Sequence, residues 1–207
     1  MKILGIVGSP RKGGNTDVLV DKVLEGTKTK GTKIEKIYLN DLNIRPCVSC
    51  ERCSQSGVCA VSDDFQPLLQ KIRETDCIVV GSPIYCATVT AQLKALIDRT
   101  DSSQVILEFK NDRYIFRSRF KDHKKGVIIC VGHLSHLKDF EHTTRVMNLF
   151  LKDLGVEVID EIIADKVSKI DDIFKRKDIL QKAYEAGIKL IEESHGFHGL
   201  SQISDTN

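Results

Sequence analysis

The sequence predicts an α/β protein built on a doubly wound, five-stranded parallel sheet. Strand-like and helix-like segments alternate along the chain, which is typical of a parallel sheet with helices on both faces. The 207 residues are 41% hydrophobic and 29% charged, which suits one domain with a sizeable core. We therefore expect a single domain over residues 1–194, followed by a polar, frayed tail over 195–207.

Five segments have the apolar or alternating patterns of strands, and five have helical spacing of apolar residues. The predicted strands cover residues 2–7, 33–39, 77–80, 126–131 and 156–164. The predicted helices cover residues 15–27, 91–99, 142–154, 173–193 and a segment that begins near Ser62. Ser62 or Asp63 is the expected N-cap of that segment. Residues 101–125 are the hardest to assign: the weak alternation over residues 114–120 predicts an extra strand or an excursion over the active-site face.

The overall charge and the N-terminal sequence exclude several classes of protein. A net charge of +2 is too small to indicate binding to nucleic acid or to a membrane surface. The apolar run in MKILGIVGSP is too short for a secretory signal, and no stretch approaches the roughly 20 apolar residues of a membrane span. We therefore expect a cytoplasmic protein without nucleic-acid or membrane partners, in which Cys77 and Cys130 are buried thiols.

A glycine-rich loop, GSPRKGGNT, joins the first predicted strand to the first predicted helix over residues 8–16. This junction surrounds an anion with backbone N–H groups and a helix N-terminus. The loop lacks the Lys-Ser/Thr pair of a Walker loop and the G-x-G-x-x-G fingerprint of dinucleotide sites, so a monophosphate fits best. The alternative is a glycine-rich turn without a ligand. The predicted phosphate contacts are Ser9, Arg11, Lys12, Gly14, Asn15 and Thr16.

Two further segments, GSPIY at 81–85 and QLKALIDR at 92–99, follow the third strand. Together with residues 8–16 they resemble the NAD(P)H-dependent FMN reductases and the flavodoxin-like quinone reductases over at least residues 1–100. The resemblance implies a flavodoxin-like fold with strand order 2-1-3-4-5, FMN as cofactor and NAD(P)H as co-substrate.

The resemblance also implies which residues meet the flavin ring. Ligands of open parallel sheets sit outside the carboxyl ends of the strands at the switch point, here between the first and third strands. The predicted ring contacts are Pro83, Ile84, Tyr85, Cys86, Ala87 and Thr88, with Gly132 and His133 nearby. Tyr85 has an alternative role as a packing aromatic. The segment GHLSH at 132–136 departs from the family's glycine-rich stretch, which leaves the substrate open.

Four of the seven cysteines fall within a loop over residues 46–60 and form C-x2-C-x2-C-x5-C. Thiolates at this spacing can bind one cluster or one metal ion without distant residues, and the compact spacing favours a 4Fe–4S cluster over zinc. The pattern resembles the iron-sulfur flavoproteins. Zinc, or four uncoordinated thiols, remain as alternatives. The predicted ligands are Cys47, Cys50, Cys53 and Cys59.

These features predict an FMN-dependent redox protein that passes electrons between NAD(P)H, or a ferredoxin-type carrier, and an acceptor. The alternatives are a cluster-free NAD(P)H-dependent FMN or quinone reductase and a non-enzymatic zinc-binding module. No general base is expected, since hydride transfer to a flavin depends on proximity. The family resemblance implies a homodimer or a homotetramer.

Overall fold

The computed structural model describes residues 1–120, 124–133 and 137–198. The strands are β1 Lys2–Val7, β2 Lys33–Tyr38, β3 Cys77–Pro83, β4 Val105–Lys110, β5 Arg113–Ser118, β6 Lys124–Val131 and β7 Val156–Ala164. The helices are α1 Asn15–Gly26, α2 Phe65–Arg73, α3 Ala91–Gln104, α4 Glu141–Asp153 and α5 Lys177–His198. Among the described residues, no helix combines the length and the apolar character that a membrane span requires.

Five of the strands form one parallel sheet in the order β2-β1-β3-β6-β7. Strands β4 and β5 form a separate antiparallel hairpin, so the five sheet strands follow the order 2-1-3-4-5 when counted along the chain. This confirms the predicted fold class. In the register of the sheet, Val7 of β1 pairs with Tyr38 of β2 and with Gly81 of β3. The carboxyl ends of β1 and β2 are therefore level, β3 continues to Pro83, and the loops that follow the three strands share one edge.

The two faces of the sheet bury two separate hydrophobic clusters. Alternate residues of a strand point to opposite faces. Leu4 and Ile6 of β1 accordingly lie in the cluster that contains residues of α2, α3 and α4. Ile3 and Val7 lie in the cluster that contains residues of α1 and α5. Cys77 and Cys130 are buried in these clusters, as predicted.

Several predicted boundaries differ from the structure. Helix α2 begins at Phe65 with Asp64, not Ser62 or Asp63, as its N-cap. The side chain of Asp64 makes no capping bond, whereas Asp63 Oδ1 accepts from Phe65 N at 3.1 Å. Helix α3 extends five residues beyond the predicted end, from 99 to 104. The segment 101–125 contains the β4–β5 hairpin. Residues 195–198 form the end of α5, and the rest of the predicted tail lies outside the described residues.

Helices α1 and α5 cross so closely that glycine is required at their contact. A Cβ atom added to Gly187 would overlap the carbonyl oxygen of Val23, and one added to Gly26 would overlap that of Tyr184. Gly187→Ala should therefore lower the free energy of unfolding by about 1–3 kcal/mol through overpacking. At an open helical site the same change would stabilise by about 1 kcal/mol. Urea unfolding of the cofactor-free protein measures the difference, and a stabilised variant would contradict this packing.

Candidate functional site

The base of a cleft forms where β1 and β3 end side by side. The backbone N–H of Gly8 donates to the carbonyl of Gly81 at 2.8 Å. The buried hydroxyl of Thr90 donates to the carbonyl of Gly8 at 2.7 Å and accepts from Leu93 N at 3.3 Å, which caps α3. These bonds tie the loop after β1, the end of β3 and the start of α3 into one unit.

The glycine-rich loop turns from β1 into the first turn of α1. Arg11 N donates to Ser9 Oγ at 3.2 Å, and Gly13 N donates to Asp17 Oδ2 at 2.7 Å. Gly13 has a φ of 71°, a conformation that favours glycine. The free N–H groups at the start of a helix and its positive dipole end favour an anion. The cleft is therefore suited to a phosphate at the point where α1 begins.

Most of the predicted cofactor contacts line this one cleft. The predicted residues that line it are Ser9, Arg11, Gly14, Asn15, Thr16, Pro83, Ile84, Tyr85, Gly132 and His133. They come from the loops after β1, β3 and β6, whose strands are far apart in sequence but adjacent in the sheet. The structure thus gathers three loops of polar and apolar residues around a single opening.

Lys12 lies outside the cleft lining. Its ammonium pairs with Asp41 at 2.6 Å and lies 4.8 Å from the centre of the Tyr38 ring. The hydrogen bond to Asp41 is the main cause that raises the pKa of Lys12. The side chain therefore leads away from the cleft, toward the end of β2.

The residues after Tyr85 form a tight turn that also lies outside the cleft lining. Tyr85 N donates to Thr88 O at 2.8 Å, and Thr88 N donates back to Tyr85 O at 3.1 Å. The two central residues, Cys86 and Ala87, have φ values of 47° and 62°, as in a type I′ turn. Both are exposed, and the turn follows directly on Tyr85, which lines the cleft. The turn therefore lies at the edge of the cleft.

The side chain of Asn15 is occupied by a loop that the sequence did not associate with the site. Its Nδ2 donates to Lys169 O at 2.7 Å, and its Oδ1 accepts from Ile173 N at 3.3 Å. Asp172 holds the same loop by accepting from Lys169 N at 2.7 Å. That backbone bond, with the ammonium of Lys175, lowers the pKa of Asp172 to about 2.

A second cavity, of about 210 Å³, lies in the cysteine loop, and all four predicted ligands line it. Ser49 and Glu51 have φ values of 47° and 60°, so the chain bends sharply on both sides of Cys50. Burial raises the pKa of Cys53, and the other three thiols add to that effect. Among the described residues, no three His, Cys, Asp or Glu side chains are spaced to hold an ion as they stand. The thiols share one cavity without forming a closed ligand set.

Arg99 lines this cavity and forms a fully buried ion pair with Asp63 at 2.5 Å. Burial opposes ionisation of Asp63, but hydrogen bonds from Arg99, Arg45 N and Phe65 N outweigh it and lower its pKa. Arg99 also donates to Cys59 Sγ at 3.2 Å. Its Nε is buried and has no hydrogen-bond partner among the described residues.

Residues 1–165 match the family described as NADPH-dependent FMN reductase. The chain belongs to this family. An iron-sulfur flavoprotein of Methanocaldococcus jannaschii is 40% identical over 111 residues, which cover 54% of this chain and 58% of that protein. The chain spans little more than half the length of this relative. A Bacillus subtilis protein provisionally named an NAD(P)H-dependent FMN-containing oxidoreductase is 30% identical over 73% of this chain and 82% of its own length.

Solved structures of similar fold support the architecture. An FMN-dependent NADH-azoreductase from Bacillus anthracis, in complex with FMN, superposes with a TM-score of 0.68 at 15% identity and covers 92% of this chain and 99% of its own. An archaeal flavodoxin superposes with a TM-score of 0.57 at 14% identity, over 94% of this chain and 99% of its own. At these identities the likeness shows the flavodoxin-like fold alone.

Sequence reasoning missed four residues that line the cleft in this member of the family. They are Val131, Val167, Ser168 and Ile170. The last three belong to the loop after β7, whose carboxyl end lies at the same edge of the sheet as those of β1 and β3. The predicted fifth strand could have indicated that its following loop lines the cleft, because every loop after a parallel strand opens onto that edge.

Thr90→Val should lower the free energy of unfolding by about 1–3 kcal/mol, since the buried Gly8 carbonyl and the cap of α3 lose their shared partner. Thr144→Val is the matched control, because the Thr144 hydroxyl donates to Glu141 O at an exposed position. Its effect should stay within about 0.5 kcal/mol. Equal losses in chemical denaturation would contradict the role of Thr90.

Proposed function

We propose that the protein is an FMN-dependent oxidoreductase that transfers electrons between NAD(P)H, or a ferredoxin-type carrier, and an acceptor through FMN and a 4Fe–4S cluster. The observation that carries the proposal is the cleft in which the glycine-rich loop and the turn at Pro83 meet. Family membership supports FMN as the cofactor, and the cavity lined by four cysteines supports the proposal of a second redox group.

The lining of the cleft includes polar residues from the glycine-rich loop and apolar residues from the end of β3, which suits the two ends of FMN. Ser9, Thr16 and the N–H groups at the start of α1 would bind the phosphate, with Arg11 supplying charge. Pro83 and Ile84 would support the flavin ring on the other side of the cleft. When bound, the flavin supplies hydride and single-electron chemistry, and the protein supplies orientation.

The cysteine cavity fits an anionic cluster in its donor set and its charge. Four cysteines are the ligands that a 4Fe–4S cluster uses. The buried guanidinium of Arg99 lines the cavity and donates to Cys59 Sγ, and Asp63 offsets part of its positive charge. Such a cluster supplies one-electron transfer, and Cys47, Cys50, Cys53 and Cys59 would hold it.

The position of the cavity relative to the cleft also favours electron transfer. Helix α3 is capped by Thr90, whose hydroxyl donates to Gly8 O at the base of the cleft, and carries Arg99, which lines the cysteine cavity. Nine residues of helix span about 14 Å, so one rigid helix links the two sites at contacts about that far apart. The proposal includes a homodimer or homotetramer, which rests on the family resemblance, and a cytoplasmic location, which the sequence predicts.

A cluster-free NAD(P)H-dependent FMN or quinone reductase is the second candidate, since the four described thiols do not form a closed ligand set as they stand. A zinc-binding module is the third candidate. Anaerobic purification followed by a visible spectrum and iron, sulfide, zinc and flavin analysis separates the three. Broad absorbance near 400 nm with acid-labile sulfide supports the cluster; flavin bands alone support the reductase; colourless protein with zinc supports the module.

Arg11→Ala should weaken FMN binding by about 1–3 kcal/mol, because a charge-assisted hydrogen bond to the phosphate is lost. Lys12→Ala is the matched control: it removes the same charge one residue away, from a side chain that pairs with Asp41. It should cost less affinity. Quenching of flavin fluorescence measures both, and equal effects would refute the assignment of Arg11.

Cys50→Ala should abolish the cluster and leave FMN bound, since the two sites share no lining residue. Cys86→Ala, which removes an exposed thiol outside the loop, should retain its iron. Iron, sulfide and flavin are measured after anaerobic purification. Full iron content in the Cys50 variant would show that this cysteine is not a ligand.

A further inference from the structure

We propose that Arg99 is a positioning residue of the cysteine cavity. It fixes the cysteine loop in a conformation that can bind the cluster, and it raises the cluster's reduction potential through its charge and its hydrogen bond to Cys59. The inference rests on the proposed function, because the cluster is part of that proposal. It assigns a role to a residue of α3 that lies outside the ligand set.

The guanidinium of Arg99 contacts both ends of the cysteine loop. Its Nη1 donates to Arg45 O at 3.3 Å and to Asp63 Oδ2 at 2.5 Å. Its Nη2 donates to Val61 O at 3.2 Å and to Cys59 Sγ at 3.2 Å. One side chain on a rigid helix therefore fixes where the loop leaves the fold and where it returns.

Stability alone does not account for a charge in this position. The side chains of Arg99 and Asp63 are both 0% exposed. Burying an ion pair removes both charges from water, and well-packed apolar residues in the same space are often as stable or more stable. The unpartnered Nε adds to the cost, since a buried polar group without a partner destabilises the fold. The arrangement is better explained by what the charge faces, which is the cavity of four thiols.

The expected electrostatic effect has a definite sign. A cluster held by four thiolates becomes more negative on reduction, so a nearby positive charge and a hydrogen bond to a ligand sulfur favour the reduced form. Arg99 supplies both at Cys59. The carboxylate of Asp63 offsets part of that charge. Loss of Arg99 should therefore lower the reduction potential, and loss of the Asp63 charge should raise it.

The test compares three variants of the full chain, purified anaerobically with FMN. Arg99→Gln combined with Asp63→Asn removes both charges without leaving one buried alone. Asp63→Asn keeps Arg99 and its bond to Cys59. Arg45→Gln is the control for charge next to Asp63, because its side chain is 59% exposed, pairs with Asp63 at 3.8 Å and donates to Ser62 O, but reaches no sulfur. Iron content, thermal unfolding and a dye-mediated redox titration are measured for each.

We expect the single variant at Asp63 to shift the cluster potential upward relative to the double variant, and Arg45→Gln to leave it near the wild-type value. A merely structural role for Arg99 would change stability or iron content and leave the potential of the remaining clusters unchanged. Equal potentials in Asp63→Asn and the double variant would overturn the proposal. If the double variant does not fold, Arg99→Lys tests the hydrogen bond alone: it keeps the charge and loses the guanidinium donation to Cys59 Sγ, so its potential should fall below the wild-type value, and an unchanged potential would overturn the role of that bond.

Hydrogen exchange of the cluster-free protein tests the positioning role separately. Residues 45–63 should lose protection when Arg99 is replaced, and retain it in Arg45→Gln; unchanged protection in both would overturn the positioning role. If wild-type protein binds FMN but no iron, the cluster part of the proposed function fails together with the claim about the potential. Hydrogen exchange then still decides whether Arg99 positions the loop.

Discussion

The parallel pairing of β1 with β3 is the constraint on which the rest of the structure depends. Because Gly8 N reaches Gly81 O, the loops after the two strands open side by side. A Cβ atom added to Gly8 would lie 3.0 Å from that same oxygen, so the close approach also restricts the residue. The hydroxyl of Thr90 then uses the carbonyl of Gly8 to anchor α3. The cleft and the helix that leads away from it are thus products of one strand contact.

Helix α3 carries this constraint to the second cavity. Its last turns supply contacts to the cysteine loop at Ser102, whose carbonyl accepts from Cys53 Sγ at 3.2 Å, and at Gln104, which donates to Gly57 O at 2.7 Å. A helix that ended at residue 99, as predicted from the sequence, would lack both. The length of α3 therefore determines the distance between the two sites and how firmly the loop is held.

The sheet was predictable because its strands are short apolar or alternating runs, and the phosphate loop because its residues are contiguous. The hairpin was not, because Leu107, Phe109, Tyr114 and Phe116 are exposed and give no core-facing alternation. The contact between Asn15 and Lys169 joins residues 154 positions apart, which no local motif encodes. Lys12 was predicted from its charge alone. Its ion-pair partner, Asp41, follows β2 and lies 29 residues away in sequence.

The two sites differ in how the fold produces them. The cleft is built from the ends of strands and a helix, so it persists as long as the sheet does. The cysteine loop has no regular structure and is held by side chains from outside it. Two of these, Arg99 and Gln104, belong to α3. The third is Arg119, which follows the hairpin and donates to Ser54 O at 2.6 Å. Since the pairings of the sheet strands do not pass through residues 46–60, this loop can change while the sheet is preserved. The sheet therefore accounts for the cleft, whereas the second cavity depends on a few long side chains that the same fold could lose.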